Sequence, residues 1–309
     1  MKKKYKYLLG VSLLLALVCA FLFILQSRLF PAHGASREAL AIDGGEILRI
    51  NGADLWVKTE GDPNKPPLYV IAGGPGFSSN YLEPYLHFLS SDYNLVFYDA
   101  RSAGRSAYDP NINSINFKTY VDDLYALTQQ LHPDQEINVL AHSYGAATAM
   151  GLAASNRIKI SKIILVSPVD SMHRKEFSNL FFRIGLPPTD PSTANTWFVE
   201  HSRDVFGAML FNHDADAVMD KIYANFAVMM KNEAKDHYDY SDELSKFSGK
   251  TLLIYGQELE AGLAGERSQE HLHAIIPNAQ VEYVPNSGHF SFAENSEYFQ
   301  KLVRTFLKK

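Results

Sequence analysis

Short apolar runs alternate with amphipathic segments along most of the chain. Buried strands are indicated at 68–71, 94–98, 137–140, 162–166, 251–255 and 281–284, and helical spacing is found at 117–131, 144–155, 267–276 and 295–307. Apolar strands that alternate with helices are typical of a parallel sheet covered on both faces. The pattern therefore predicts an α/β fold.

Two features fall outside this alternation. Residues 46–59 predict two leading strands around an Asn51-Gly52 turn, which is a strong hairpin signal. Between 170 and 248 the alternation stops, and the segments 205–211 and 223–230 predict helices with broad apolar faces. We expect a core built from 41–169 and 249–309, with a helical insertion at 170–248.

The N-terminus predicts a membrane anchor in residues 1–30. Four lysines precede an uncharged run from Leu8 to Leu25, and eighteen helical residues extend about 27 Å, close to the thickness of a bilayer's hydrocarbon. The lysines predict a cytoplasmic N-terminus and a main domain outside the cytoplasm, attached to the cell membrane. The alternative is a secreted protein whose signal peptide is cleaved near Ala32. Residues 31–40 are the expected linker.

The charge balance limits the kinds of partner that are expected, and the cysteine count limits the possible disulfides. The 29 basic and 34 acidic residues become 24 and 34 once the five basic residues of 1–30 are set aside. An acidic body disfavours nucleic acid as a partner, because binding phosphates requires a basic surface. Cys19 is the single cysteine, so no internal disulfide can form.

A candidate nucleophile lies where one predicted strand meets a helix. The sequence Ala141-His142-Ser143-Tyr144-Gly145 follows the strand at 137–140 and opens the helix at 144–155. Ser143 would therefore sit on a sharp turn that lifts its hydroxyl clear of the sheet, with small residues two positions to either side. The alternative is an ordinary strand–helix turn without chemistry.

Two further segments fit a serine nucleophile. The glycine-rich loop at 72–76 follows the strand at 68–71, so the amides of Gly74 and Tyr144 are the predicted oxyanion hole. His289 follows the last predicted strand and precedes the final helix, which suits a general base reaching Ser143 from a separate loop. The order of nucleophile before histidine is that of nucleophile-elbow hydrolases.

Three motifs together resemble the prolyl aminopeptidase (proline iminopeptidase) group of α/β-hydrolases. They are Gly-Gly-Pro-Gly at 73–76, Asp-Ala-Arg-Ser-Ala-Gly-Arg-Ser at 99–106 and the serine turn at 141–145. The resemblance spans 68–290 and implies a mostly parallel sheet with a helical cap inserted after the sixth strand. It also implies release of an N-terminal residue from a small peptide through an acyl-enzyme on Ser143. The chain departs from the group at Ala72, Ser102 and Ala141-His142.

The acid that would orient His289 is left open by the sequence. The resemblance implies an aspartate three residues after Gly256, where this chain has Leu259 between Glu258 and Glu260. Glutamate can also hold the histidine tautomer, so Glu258 is the first candidate and Glu260 the second. Asp170, after the strand at 162–166, is a third.

Substrate recognition is expected from the inserted segment. In the group that the chain resembles, cap glutamates bind the free amine of the substrate, and the resemblance implies Glu200 and Glu233 as candidates. Without such a carboxylate the site would favour neutral acyl substrates, so a membrane-anchored carboxylic-ester hydrolase is the alternative. A second alternative is an inactive hydrolase fold that serves as a binding module.

The sequence also bears on cofactors and on two charged residues of the 99–106 motif. No histidine–carboxylate cluster has metal-ligand spacing, so neither a metal nor an organic cofactor is expected. Asp99 and Arg101 are expected to brace neighbouring loops rather than to take part in catalysis.

Overall fold

The computed structural model describes most of the predicted core and a small part of the predicted insertion. The described residues are 2–29, 37–169, 193, 196–197, 200–201, 211, 216–225, 227–229, 239–258, 266–276 and 278–309. The predicted cap at 170–248 therefore lies largely outside the described residues.

The described strands form one eight-stranded sheet. In chain order they are β1 (Glu46–Ile50), β2 (Ala53–Glu60), β3 (Pro67–Ile71), β4 (Asn94–Tyr98), β5 (Ile137–His142), β6 (Ile160–Val166), β7 (Lys250–Gly256) and β8 (Gln280–Val284). Their spatial order is β1-β2-β4-β3-β5-β6-β7-β8. β2 is antiparallel to β1 and β4, and all the other neighbouring pairs of this sheet, from β4 with β3 to β7 with β8, are parallel. The predicted parallel sheet and the leading hairpin are confirmed.

Helices cover the sheet on both faces. The described ones are α1 (Lys2–Leu29), α2 (Glu83–Leu86), α3 (Phe117–Leu131), α4 (Tyr144–Ser155), α5 (Asp216–Met219), α6 (Ser241–Leu244), α7 (Glu266–Ile275), α8 (Ser291–Glu294) and α9 (Ser296–Leu307). Side chains of α2 and α9 pack on one face of the sheet, and side chains of α3, α4 and α7 pack on the other. Because the central strands are apolar on both faces, this two-sided cover removes them from water.

The predicted helix at 223–230 is wrong over its first residues. Ala224 forms an antiparallel bridge with Phe77, and helical backbone is described at 227–229. Local apolar spacing predicted a helix here, but the backbone groups of 223–225 pair instead with the glycine-rich loop of the core. Of the predicted helix at 205–211, Phe211 is the described residue.

Residues 2–29 of the predicted membrane anchor form one helix. α1 is continuous, and its described side chains, the fifteen from Gly10 to Ile24, are exposed. Within the part of the chain that the structure describes, no helix is both long and apolar enough for a membrane crossing. The predicted span is therefore not found among the described residues, and the location of the protein stays a prediction.

Candidate active site

Ser143 occupies the turn between β5 and α4. Its backbone has φ 54° and ψ −122°, a left-handed conformation that is costly for a residue with a side chain. The Ser143 amide donates a hydrogen bond to the carbonyl oxygen of Val166 at the end of β6, 2.9 Å away. The neighbouring strand therefore holds the turn in this strained shape, which is typical of a nucleophile elbow.

Gly145 lets the elbow approach the loop after β3. A Cβ atom at this position would overlap the backbone carbonyl oxygen of Ala72. Because a carbonyl oxygen of a short loop cannot move away as a flexible side chain can, only glycine fits at this distance. The start of α4 and the glycine-rich loop are thereby brought against each other.

The glycine-rich loop lies beside Ser143. A Cβ on Gly73 would lie 3.0 Å from the Cβ of Ser143, so this loop passes directly over the serine. The Gly73 amide donates to the Tyr81 hydroxyl at 2.8 Å. Gly74 has φ 120°, and its amide makes no hydrogen bond to any residue that the structure describes. The Tyr144 amide lies at the first position of α4, in the first turn of amides at the helix N-terminus.

An extended part of the predicted insertion pairs with the same loop. The Ser78 amide donates to the Tyr223 carbonyl, and the Tyr223 amide donates to Ser78 Oγ, each at 2.9 Å. The Asn225 amide donates to the Gly76 carbonyl at 2.9 Å. These hydrogen bonds hold the loop on the side away from Ser143.

His289 lies in the loop between β8 and α8, and it is buried beside the elbow. Its ring centroid is 4.9 Å from that of His142, and its carbonyl oxygen is 3.0 Å from His142 Nε2. Since His142 directly precedes Ser143, the structure brings the predicted nucleophile and the predicted base to the same end of the sheet.

A buried carboxylate that the sequence analysis missed supports this loop. Glu294 Oε2 accepts from the amides of Gly288 at 2.8 Å and Phe290 at 3.3 Å, which flank His289. Its Oε1 accepts from the amide of Phe211 at 2.6 Å. An acidic residue at the end of the apolar run that follows His289 is the one sequence signal that could have indicated it.

Of the three candidate acids for the triad, Glu258 is the one that lies within the described residues. Glu258 lies just after β7, and its amide donates to the carbonyl of Ser287 at 3.0 Å, so its backbone adjoins the His289 loop. Its side chain is exposed. Glu260 and Asp170 lie outside the described residues. The identity of the acid stays a prediction.

Of the two candidate residues for binding the substrate amine, one lies within the described residues. Glu200 is described and exposed, whereas Glu233 lies outside the described residues. No group of three or more metal-ligating side chains occurs in the part of the chain that the structure describes.

Asp99 and Arg101 make bracing contacts. Asp99 is buried and accepts from the Ser79 amide at 2.6 Å and from the Arg105 amide at 2.7 Å. Arg101 donates from Nε and Nη2 to the two carboxylate oxygens of Asp123, both at 2.8 Å. Hydrogen bonding to Asp123 raises the pKa of Arg101, which keeps the guanidinium charged. Both residues connect loops and strands, as expected from the sequence.

Comparison with known proteins gives the family. A model described as the alpha/beta hydrolase fold matches residues 66–296. Proline iminopeptidase PfmaB of Pestalotiopsis fici is 24% identical, over 85% of this chain and 99% of that protein. Bifunctional esterase/perhydrolase DCH of Acinetobacter calcoaceticus is 23% identical, over 85% of this chain and 99% of that protein.

A solved structure shows the same fold. The proline iminopeptidase-related protein from Thermus thermophilus superposes with a TM-score of 0.68 at 19% identity, covering 85% of this chain and 96% of that one. The family match extends over more than half of the chain and includes the elbow, the glycine-rich loop and the His289 loop. The chain therefore belongs to the alpha/beta hydrolase family.

Proposed function

We propose that the protein is a serine hydrolase that cleaves a peptide or amide bond and releases the N-terminal residue of a small peptide. The observation that carries the proposal is the strained elbow of Ser143, with φ 54°, beside the buried His289. Strain of this kind persists at functional sites because the surrounding structure enforces it. At a purely structural turn, either a glycine or a right-handed backbone conformation would avoid this cost.

The proposed reaction is acyl transfer in two steps. Ser143 Oγ attacks the substrate carbonyl carbon while His289 accepts the hydroxyl proton and then passes it to the departing amine. The amides of Gly74 and Tyr144 stabilise the oxyanion, each contributing about 3 kcal/mol to the lowering of the barrier. Water then attacks the acyl-enzyme, its proton goes to His289, and the acid product leaves as Ser143 recovers its proton.

The aminopeptidase assignment is supported by the resemblance of the 73–76 and 99–106 motifs and by relatives named proline iminopeptidase. Cleavage next to a free N-terminus requires a carboxylate that pairs with the substrate amine, because an unpaired amine is costly to bury. Glu233 is the remaining candidate for this role, since the described Glu200 is exposed.

A carboxylic-ester hydrolase is the second candidate. The exposure of Glu200 favours it, since an ester substrate needs no buried amine partner. A relative named bifunctional esterase/perhydrolase adds support. Both candidates use the same nucleophile, base and oxyanion donors, and they differ in what the substrate pocket must bind.

A three-substrate assay on the full chain separates these candidates. The substrates are proline p-nitroanilide, its N-acetylated form and p-nitrophenyl acetate, each with Ser143→Ala as the blank. The proposal predicts Ser143-dependent cleavage of the free anilide and loss of that activity on acetylation. Ester cleavage alone would favour the second candidate. No Ser143-dependent cleavage of any substrate would overturn both and favour an inactive binding module.

A further inference from the structure

A buried chain of hydrogen bonds joins the glycine-rich loop to the His289 loop through His142. The Gly73 amide nitrogen lies 2.8 Å from the Tyr81 oxygen, and that oxygen lies 2.8 Å from His142 Nδ1. On the other side of the ring, Nε2 lies 3.0 Å from the carbonyl oxygen of His289. One imidazole therefore touches both halves of the site next to the nucleophile.

The two ends of the chain fix where its protons lie. The Gly73 amide can only donate, so Tyr81 accepts from it and uses its own O–H to donate to His142 Nδ1. The His289 carbonyl can only accept, so His142 Nε2 must carry a proton. In a neutral ring Nδ1 then accepts from the Tyr81 hydroxyl, because the Nδ1–H tautomer would leave the Nε2 lone pair facing the His289 carbonyl oxygen.

The surroundings of His142 favour this neutral form. The residue is 2% exposed, and the rings of Phe290 and Phe292 lie 5.4 and 5.1 Å from its own. Burial holds the pKa of His142 well below its usual value, and the adjacent His289 lowers it further. Burial also raises the pKa of Tyr81 far above its usual value, so its hydroxyl keeps the proton that it donates.

We propose that His142 and Tyr81 are positioning residues that fix the backbone of the general base relative to the nucleophile and the oxyanion loop. This inference rests on the proposed serine-hydrolase function. His142 shares a peptide bond with Ser143, so a bond from its ring to the His289 carbonyl ties the two loops at the point of chemistry. Loss of either hydrogen bond lets the His289 loop move independently of Ser143.

The test measures how fast a fluorophosphonate probe modifies the full-length protein and its variants. Tyr81→Phe removes one hydroxyl and should slow modification about tenfold, and His142→Leu removes both bonds and should slow it about 100-fold. His142→Gln restores a side-chain N–H donor near the Nε2 position, so its rate should lie well above that of His142→Leu. Equal rates for wild type, Tyr81→Phe and folded His142→Leu would overturn the inference.

A matched control separates positioning from general packing. Tyr69 makes a similar buried bond to a histidine, with its hydroxyl 2.7 Å from His132 Nδ1, and neither residue belongs to the loops around Ser143. Tyr69→Phe should leave the modification rate unchanged even where it lowers stability as much as Tyr81→Phe does. Equal slowing by the two tyrosine variants would assign the effect to packing and overturn the inference.

Nitrogen-15 NMR of labelled histidines tests the proton assignment without any substrate. The wild type and Tyr81→Phe should both show His142 protonated at Nε2 alone, because the His289 carbonyl accepts that proton in both proteins. An Nδ1–H wild type would overturn the inference. A wild type that the probe does not modify would instead overturn the proposed function. Normal modification of the positioning variants would leave that function standing and remove only the inference.

Discussion

Glu294 holds the amide of Gly288 at 2.8 Å and so fixes the residue immediately before His289. The same carboxylate reaches the Phe290 amide and, through its other oxygen, the amide of Phe211. The side chain is 6% exposed. A buried carboxylate that accepts several backbone hydrogen bonds rigidifies the segment that it binds, because none of those amides can turn to water.

Glu294→Ala should therefore destabilise the protein and disturb the His289 loop. Removing the carboxylate leaves buried amides unsatisfied, and we expect a loss of about 1–3 kcal/mol in the free energy of unfolding. Urea denaturation measures this loss. Glu297→Ala, at an exposed acid on the adjacent helix, is the control and should stay within about 0.5 kcal/mol of wild type. Equal effects of the two substitutions would refute the role of Glu294.

Gly145→Ala should lower activity more than stability. The added methyl group would overlap the Ala72 carbonyl and push the glycine-rich loop away from Ser143. A small displacement of this loop from Ser143 should lower kcat about 10–100-fold. Gly10→Ala, in a helix where an added Cβ meets no atom within 4 Å, is the control and should leave kcat unchanged. Wild-type kcat in Gly145→Ala would show that the close approach is dispensable.

Arg101→Gln should affect stability without lowering kcat per folded molecule. Arg101 binds both oxygens of Asp123, whose side chain is 1% exposed, so its removal leaves a buried charge poorly paired. We expect a loss of about 2–4 kcal/mol in the free energy of unfolding. The exposed pair of Arg49 and Asp54 is the control, and Arg49→Gln should cost less than about 1 kcal/mol. A selective fall in kcat for Arg101→Gln would instead place Arg101 in the chemistry.

Stability should fall with pH below about 6.5 partly because of His142. Its pKa is lowered by burial in the folded state, whereas the unfolded chain binds the proton near pH 6.5. The stability from the neutral ring is therefore present above that pH and lost as the pH falls, by up to about 1.4 kcal/mol per pH unit. Tyr81 and His289 are the titratable groups in contact with the ring.

Urea denaturation between about pH 5 and pH 8 checks this dependence. His142→Gln removes the titrating group, so its free energy of unfolding should fall less steeply with decreasing pH than that of the wild type. Parallel curves for the two proteins would show that His142 does not contribute.

The sheet could be predicted from sequence because its central strands are apolar on both faces. α3 at Phe117–Leu131 and α4 at Tyr144–Ser155 begin and end where their spacing indicates. Ser143, Gly74 and His289 could be singled out because each lies just after a predicted strand, and strand ends meet at one edge of a parallel sheet.

Contacts between distant segments could not be predicted in this way. Residues 223–225 have helical apolar spacing, yet their backbone pairs with the distant loop at 76–78. The roles of His142 and Glu294 depend on hydrogen bonds to the backbone of the His289 loop. No local pattern encodes such bonds. Ser102 has φ 56°, which gives a physical reason for the glycine found at that place in the group that the chain resembles.

The central claim is that Ser143 is an activated nucleophile. Its most direct test is intact-protein mass spectrometry after treatment with a fluorophosphonate probe, on wild type and on Ser143→Ala. We expect one adduct on the wild type, mapped to Ser143 by peptide sequencing, and none on the variant. An unmodified wild type, or an adduct that persists in Ser143→Ala, would contradict it.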